Sequence, residues 1–82
     1  MKTILTINDF KKIIDTSGDI TFDCLGASYT ILTWTDKGIV IGKQNDDDDC
    51  YYESSDDLIA NYKINGKYIS DVIDKINVTF YS

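Results

Sequence analysis

From Ile20 to Lys43 the sequence admits little besides a meander of strands. Ile20, Phe22 and Cys24 alternate with Thr21 and Asp23, a period of two that sends the first set to one face of a strand. Gly26 permits a return, and Ser28 to Trp34 is rich in Thr, Ile, Tyr and Trp, residues that fit a pleated, half-buried surface. Asp36-Lys37-Gly38 is the strongest hairpin signal, placed just before Ile39-Val40-Ile41. The spacing predicts three antiparallel strands at 20–24, 28–34 and 39–43, each paired with the next. Trp34, ending the second strand, is expected in the core or at its edge, where it would cover the hairpin opposite Gly38.

Helices flank this meander. Thr6-Ile7-Asn8-Asp9 reads as a capping box with Asp in place of the usual Glu. Ile7, Phe10, Ile13 and Ile14 then share one helical face, which predicts a helix over 7–15 stopped by Ser17-Gly18-Asp19. Cys50-Tyr51-Tyr52 adds a short fourth strand or extends the third across a bulge; alternation that turns Tyr52 inward leaves Tyr51 in solvent. Ser54 or Ser55 caps a second helix with Asp56 and Asp57 in its first turn, and Asn65-Gly66 is expected to end it. Ile69, Val72, Ile73 and Ile76 predict a last helix near 69–76, with Val78-Thr79-Phe80-Tyr81 trailing as an extended segment. The expected class is α+β: an N-terminal helix, a three- or four-stranded antiparallel sheet and two short C-terminal helices, in one compact domain over 1–82.

Charge narrows the function. The 82 residues include 13 Asp, one Glu, eight Lys and neither Arg nor His, for a net charge of -6. Without histidine the usual Ser-His-acid and Cys-His arrangements cannot form. Counting Asp46 as the first position of a calcium loop puts Cys50 at the fifth, Tyr51 where glycine is required and Asp57 where glutamate belongs. No enzyme, cofactor or metal site is expected. Cys24 and Cys50 form no Cys-x-x-Cys unit and are read as reduced thiols or, alternatively, as a disulfide pair. No run approaches the roughly 20 apolar residues that cross a bilayer, so a cytoplasmic chain without a membrane partner is expected. An acidic chain without Arg is also poorly suited to touching nucleic acid directly, because phosphate contact relies on Lys and Arg. Basic proteins are better partners.

Residues 46–57 concentrate that charge. Asp46, Asp47, Asp48, Asp49, Glu53, Asp56 and Asp57 occur there with no lysine among them. Such a run serves as a solvated loop that aids solubility, or as an electrostatic ridge for a partner. An extended chain rises about 3.3 Å per residue, close to the roughly 3.4 Å between phosphates along one DNA strand, so carboxylates here can stand in for phosphates. Tyr51 within the run offers a large amphipathic contact. The candidate partner-binding residues are therefore these seven acids and Tyr51.

In its size, its negative balance, its order of a helix over 7–15, strands over 20–24, 28–34 and 39–43 and C-terminal helices, and its acidic material between Asn45 and Asp57, the chain resembles the small phage-encoded anti-CRISPR proteins of the acidic, DNA-mimicking class that inhibits Cas9. The stretch Asn61-Tyr62-Lys63-Ile64-Asn65-Gly66-Lys67 also looks like a recurring element of small phage proteins. The resemblance implies inhibition by occupancy in the host-cell cytoplasm, with acidic side chains in the basic groove that would receive DNA. It places Asp46 through Asp49, Glu53, Asp56 and Asp57 in that role, toward a basic nucleic-acid-binding protein such as a CRISPR effector. Aspartate's short reach would demand close backbone approach. The alternative is a phage or mobile-element adaptor or immunity protein that binds through an aromatic, apolar surface in which Tyr29, Tyr62 or Tyr68 matters more than the aspartates. Oligomeric state is left open by the sequence.

Overall fold

The computed structural model describes residues 5–45 and 49–82. Helix α1 (Ile7–Thr16) is started by the expected capping box: the Thr6 hydroxyl accepts from the Asp9 amide at 3.1 Å and the Asp9 carboxylate accepts from the Thr6 amide at 3.3 Å. Two donors that a helix start leaves unpaired are thus satisfied. Strands β1 (Asp19–Cys24), β2 (Ala27–Thr35) and β3 (Gly38–Lys43) follow as an antiparallel meander, and β4 (Cys50–Tyr52) joins the outer edge of β3.

The C-terminal third departs from the sequence reading at three points. Helix α2 (Ser55–Asn61), capped by Ser54, ends at Asn61. Asn65-Gly66 does not terminate it; both residues have positive φ and form the turn of a small hairpin between β5 (Lys63–Ile64) and β6 (Lys67–Tyr68). Asn-Gly is the dipeptide a type I′ turn favours, since both central residues must be left-handed. The last helix is shorter than 69–76. Helix α3 (Ile69–Val72) breaks where Val72 leaves helical geometry, and a 3₁₀ turn (Ile73–Lys75) carries the chain on. Ile69, Val72 and Ile76 nevertheless remain buried, so the apolar spacing was selected by burial while the backbone changed its winding.

The trailing segment is a strand. β7 (Asn77–Tyr81) pairs antiparallel with β1, giving a five-stranded sheet in the order β4-β3-β2-β1-β7 rather than one of three or four strands. A bulge between Thr21 and Phe22 interrupts its register.

Among the described residues, only one face of this sheet is covered. Ile20, Phe22 and Cys24 of β1, Tyr29 and Ile31 of β2 and Ile41 of β3 are buried together with Phe10 and Ile14 of α1, Leu58 of α2, and Ile69 and Val72 of α3. Phe22 is central: its ring meets Phe10 edge-on at 5.5 Å and stacks on Tyr29 at 5.1 Å between centroids. Cys24 and Cys50 lie on strands separated by two others, roughly 14 Å across at normal strand spacing. A disulfide needs Cα atoms within about 7 Å, and both are free thiols.

Replacing Phe22 with Ala should cost about 3–5 kcal/mol, through lost transfer energy and the cavity left behind. Thr6→Ala should cost about 1 kcal/mol through the lost cap. Urea denaturation of the three proteins should rank them in that order.

Candidate functional site

The pairing register assigns the uncovered face row by row. Asp19, Leu32, Val40 and Tyr51 are successive partners across β1, β2, β3 and β4, and Phe80, Thr21, Thr30 and Gly42 form the next row. Hydroxyls and amides bond within this surface: Ser28 donates to the Asp23 carboxylate at 2.6 Å, and Gln44 donates to the Thr30 hydroxyl at 3.1 Å. Leu32, Tyr51 and Phe80 are nonetheless exposed, and Lys37 stands 5.5 Å from the centre of the Tyr51 ring. Tyr51 therefore projects to solvent while Tyr52 packs against the core, with its ring edge toward Tyr62. Burial, the Cys50 side chain and the Asp57 carboxylate push the Tyr52 phenol upward.

The acidic residues divide between surroundings. Asp46, Asp47 and Asp48 lie outside the described residues. Asp49 immediately precedes β4, and its carboxylate rests against Gly42 on the uncovered face, where a side chain at position 42 would collide with it. Glu53 follows β4 at the other end and, with Asp15, lines a concavity beside Trp34. Asp56 and Asp57 belong to the helical layer. Asp56 is 3.7 Å from Lys11 of α1. Asp57 is absorbed by local structure: its amide donates to the capping Ser54 hydroxyl, and its carboxylate accepts from the Glu53 amide at 3.3 Å and from the Asn61 side chain at 2.7 Å. Tertiary contact thus brings lysines to a segment that has none in sequence: Lys11 pairs with Asp56, and Lys37 stands by the Tyr51 ring. Neither Asp49 nor Glu53 has an ion-pair partner among the described residues.

Trp34 corrects the sequence reading. It is 81% exposed and contributes nothing to the core. Alternation along β2 already separates it from the core: Tyr29 and Ile31 are buried, whereas Leu32 is exposed and Trp34 continues the Leu32 set. A register shift between Leu32 and Thr35 in the β2–β3 pairing falls at this point. A bulge bends a strand and re-aims its side chains, and this one carries the indole toward Gly18. The bulge is pinned from the neighbouring turn: the Thr33 amide donates to the Gly18 carbonyl at 3.0 Å, and the Thr33 hydroxyl donates to the Ser17 carbonyl. Gly18 is what allows this placement, since a Cβ there would collide with the indole.

α1 and α2 are tied beside this concavity. The Ser55 hydroxyl donates to Asp15 at 2.7 Å, and Lys11 donates to the same carboxylate at 3.1 Å. The Ser55 bond, with help from Lys11, holds the Asp15 carboxyl below its ordinary value of 3.8 against the opposing effect of burial. The remaining tyrosines split. Tyr29 is buried in the core and Tyr62 is half-buried with edge contacts to Tyr29 and Tyr52, so neither offers the open contact expected of the aromatic alternative. Tyr68 is exposed beneath Lys63, 5.0 Å from its ring centre. Burial, and after it the Asp74 charge, raises the Cys24 thiol, which removes thiolate character from that side chain. No helix is long and apolar enough to cross a membrane among the described residues.

The Asp15 contact generates a pH test. Because its folded value is depressed, its contribution is present above pH 3.8 and is lost as pH falls through the folded value. Ser55→Ala should lower stability at pH 7, and its deficit relative to the parent chain should shrink below about pH 3.8; equal deficits at pH 7 and pH 2.5 would contradict this account.

No protein-family model matches the chain, and no curated protein and no solved structure matches it either.

Proposed function

We propose that this chain is a noncatalytic binding protein that presents the acidic end of its sheet to a basic nucleic-acid-binding protein and thereby excludes the nucleic acid. The carrying observation is the border of β4: Asp49 and Glu53 flank the strand without an ion-pair partner among the described residues, and half-exposed Tyr51 stands between them. The run of Asp46, Asp47 and Asp48 adjoins this border in sequence. Unpaired carboxylates beside an amphipathic ring supply long-range attraction together with a contact of low entropic cost. Asp56 and Asp57 have a supporting part in this reading, since Lys11 and the α2 cap engage them. The resemblance to acidic anti-CRISPR proteins makes a CRISPR effector such as Cas9 the first partner to test.

A second reading is favoured by Leu32, Val40, Tyr51 and Phe80, which leave apolar area on the uncovered face. There an adaptor or immunity protein would bind through the sheet itself, and salt would matter little.

Binding to a purified effector, followed by surface resonance, separates the readings. Changing Asp46, Asp47, Asp48 and Asp49 together to Asn should lower the association rate about tenfold or more at low salt, and duplex DNA should compete with the parent chain. Leu32→Asp should have little effect. Unchanged association by the Asn variant, or indifference to DNA, would overturn the acidic reading; loss of binding with Leu32→Asp alone would favour the sheet face.

A further inference from the structure

We propose that the concavity beneath Trp34 is a receptor for one basic side chain of a protein partner. This rests on the reading that the partner is basic, and it names the contact such a partner would make. The hollow has a volume of about 350 Å³, and Trp34, Glu53, Asp15, Thr33 and Ser54 contribute to its lining. An arginine or lysine head group is attracted by the electron-rich face of an indole, most strongly when a carboxylate stands nearby. Both groups are present. Trp34 is 81% exposed, and Glu53 has no hydrogen bond or ion pair to its carboxylate among the described residues.

The indole is held for contact with something outside the fold. An exposed tryptophan that merely hung from a strand end would need no seat, yet Trp34 lies on Gly18, where even a methyl group would collide with it. The bulge that turns it there is fixed by both the amide and the hydroxyl of Thr33. Glu53 is held as well, because its amide donates to the Asp57 carboxylate at 3.3 Å, within the α2 cap. Lys11, which pairs with Asp15 of the lining, is already committed to Asp15 and Asp56. Opposite charge, an available aromatic surface, a seat for the indole and an anchored main chain at Glu53 meet in one hollow of side-chain size.

Trp34 is the sole tryptophan of the chain, so its emission and its indole N–H resonance report on this place alone. The probe is arginine blocked at both ends, with equally blocked citrulline as its uncharged counterpart. A single residue cannot bridge to the aspartate run. Blocked arginine should shift the indole signals saturably at low salt and citrulline should not, while Glu53→Gln should weaken the arginine response roughly threefold or more. Gly18→Ala, checked for retained unfolding cooperativity, should displace the indole and reduce the response. Equal shifts with citrulline, a silent indole, or an unaltered response in Glu53→Gln would overturn the proposal. The variant with Asn at positions 46–49 keeps the two ideas apart. If its arginine response persists while it loses effector binding, both stand. If the parent chain binds an effector in a manner sensitive to DNA but its indole stays silent, only the receptor falls. If arginine saturates the hollow and no acid substitution affects effector binding, only the competition reading falls.

Discussion

The edge contact of Phe10 with Phe22 and the stack of Phe22 on Tyr29 join the helical layer to the sheet, and the placement of the other surfaces follows from them. Phe10 comes from α1, Phe22 from the strand next to the β7 edge and Tyr29 from the middle of the sheet. With this contact made, α1 lies across one face, and α2 and α3 complete the cover with Leu58, Ile69 and Val72. A five-stranded sheet is roughly 20–25 Å wide at normal strand spacing, and the ten, seven and four residues of the three helices suffice for one side of it. The other side meets solvent, which is why Thr21, Ser28 and Thr30 occupy it and bond among their neighbours.

The legible parts of the fold are those written in local periods. Thr6 and Asp9 are three residues apart, and Ile20, Phe22 and Cys24 are two apart, so each element announces itself within a few positions. β7 does not: Val78 and Phe80 gain their meaning from Phe22 and Thr21, more than fifty residues earlier, and an isolated five-residue run has no way to show that pairing. Asn65-Gly66 carried a legible hairpin signal, but the flanking strands have only two residues each and offer no alternation to support it. Trp34 was misread for a different reason. Its type favours burial, yet two-residue alternation puts it with exposed Leu32 and apart from buried Tyr29 and Ile31; the register shift, a property of two strands together, was the part the sequence did not carry.

The candidate site shows the same limit more sharply. Sequence adds charges in order, so Asp56 and Asp57 count equally with Asp49 and Glu53. Folding makes them unequal. Lys11 arrives from α1, and Ser54 and Asn61 arrive by helical winding, so the helical acids are drawn into holding α1 against α2 and starting the second helix. Their negative charge remains, but their positions are fixed by internal demands.

That inequality gives the acids an order of dependence. Asp57 receives the Glu53 amide, so a residue occupied by the fold orients one that the fold leaves unpaired. Asp15 acts similarly: its bond from Ser55, with the Lys11–Asp56 pair, ties α1 to α2 beside the hollow. An exposed acid in a flexible strand would lose rotational freedom on meeting a cation, and that loss offsets much of the attraction. Anchoring the Glu53 backbone before any partner arrives reduces the part of the loss that comes from the main chain. Removing Asp57 would therefore weaken a contact it never makes, by releasing the backbone beneath Glu53.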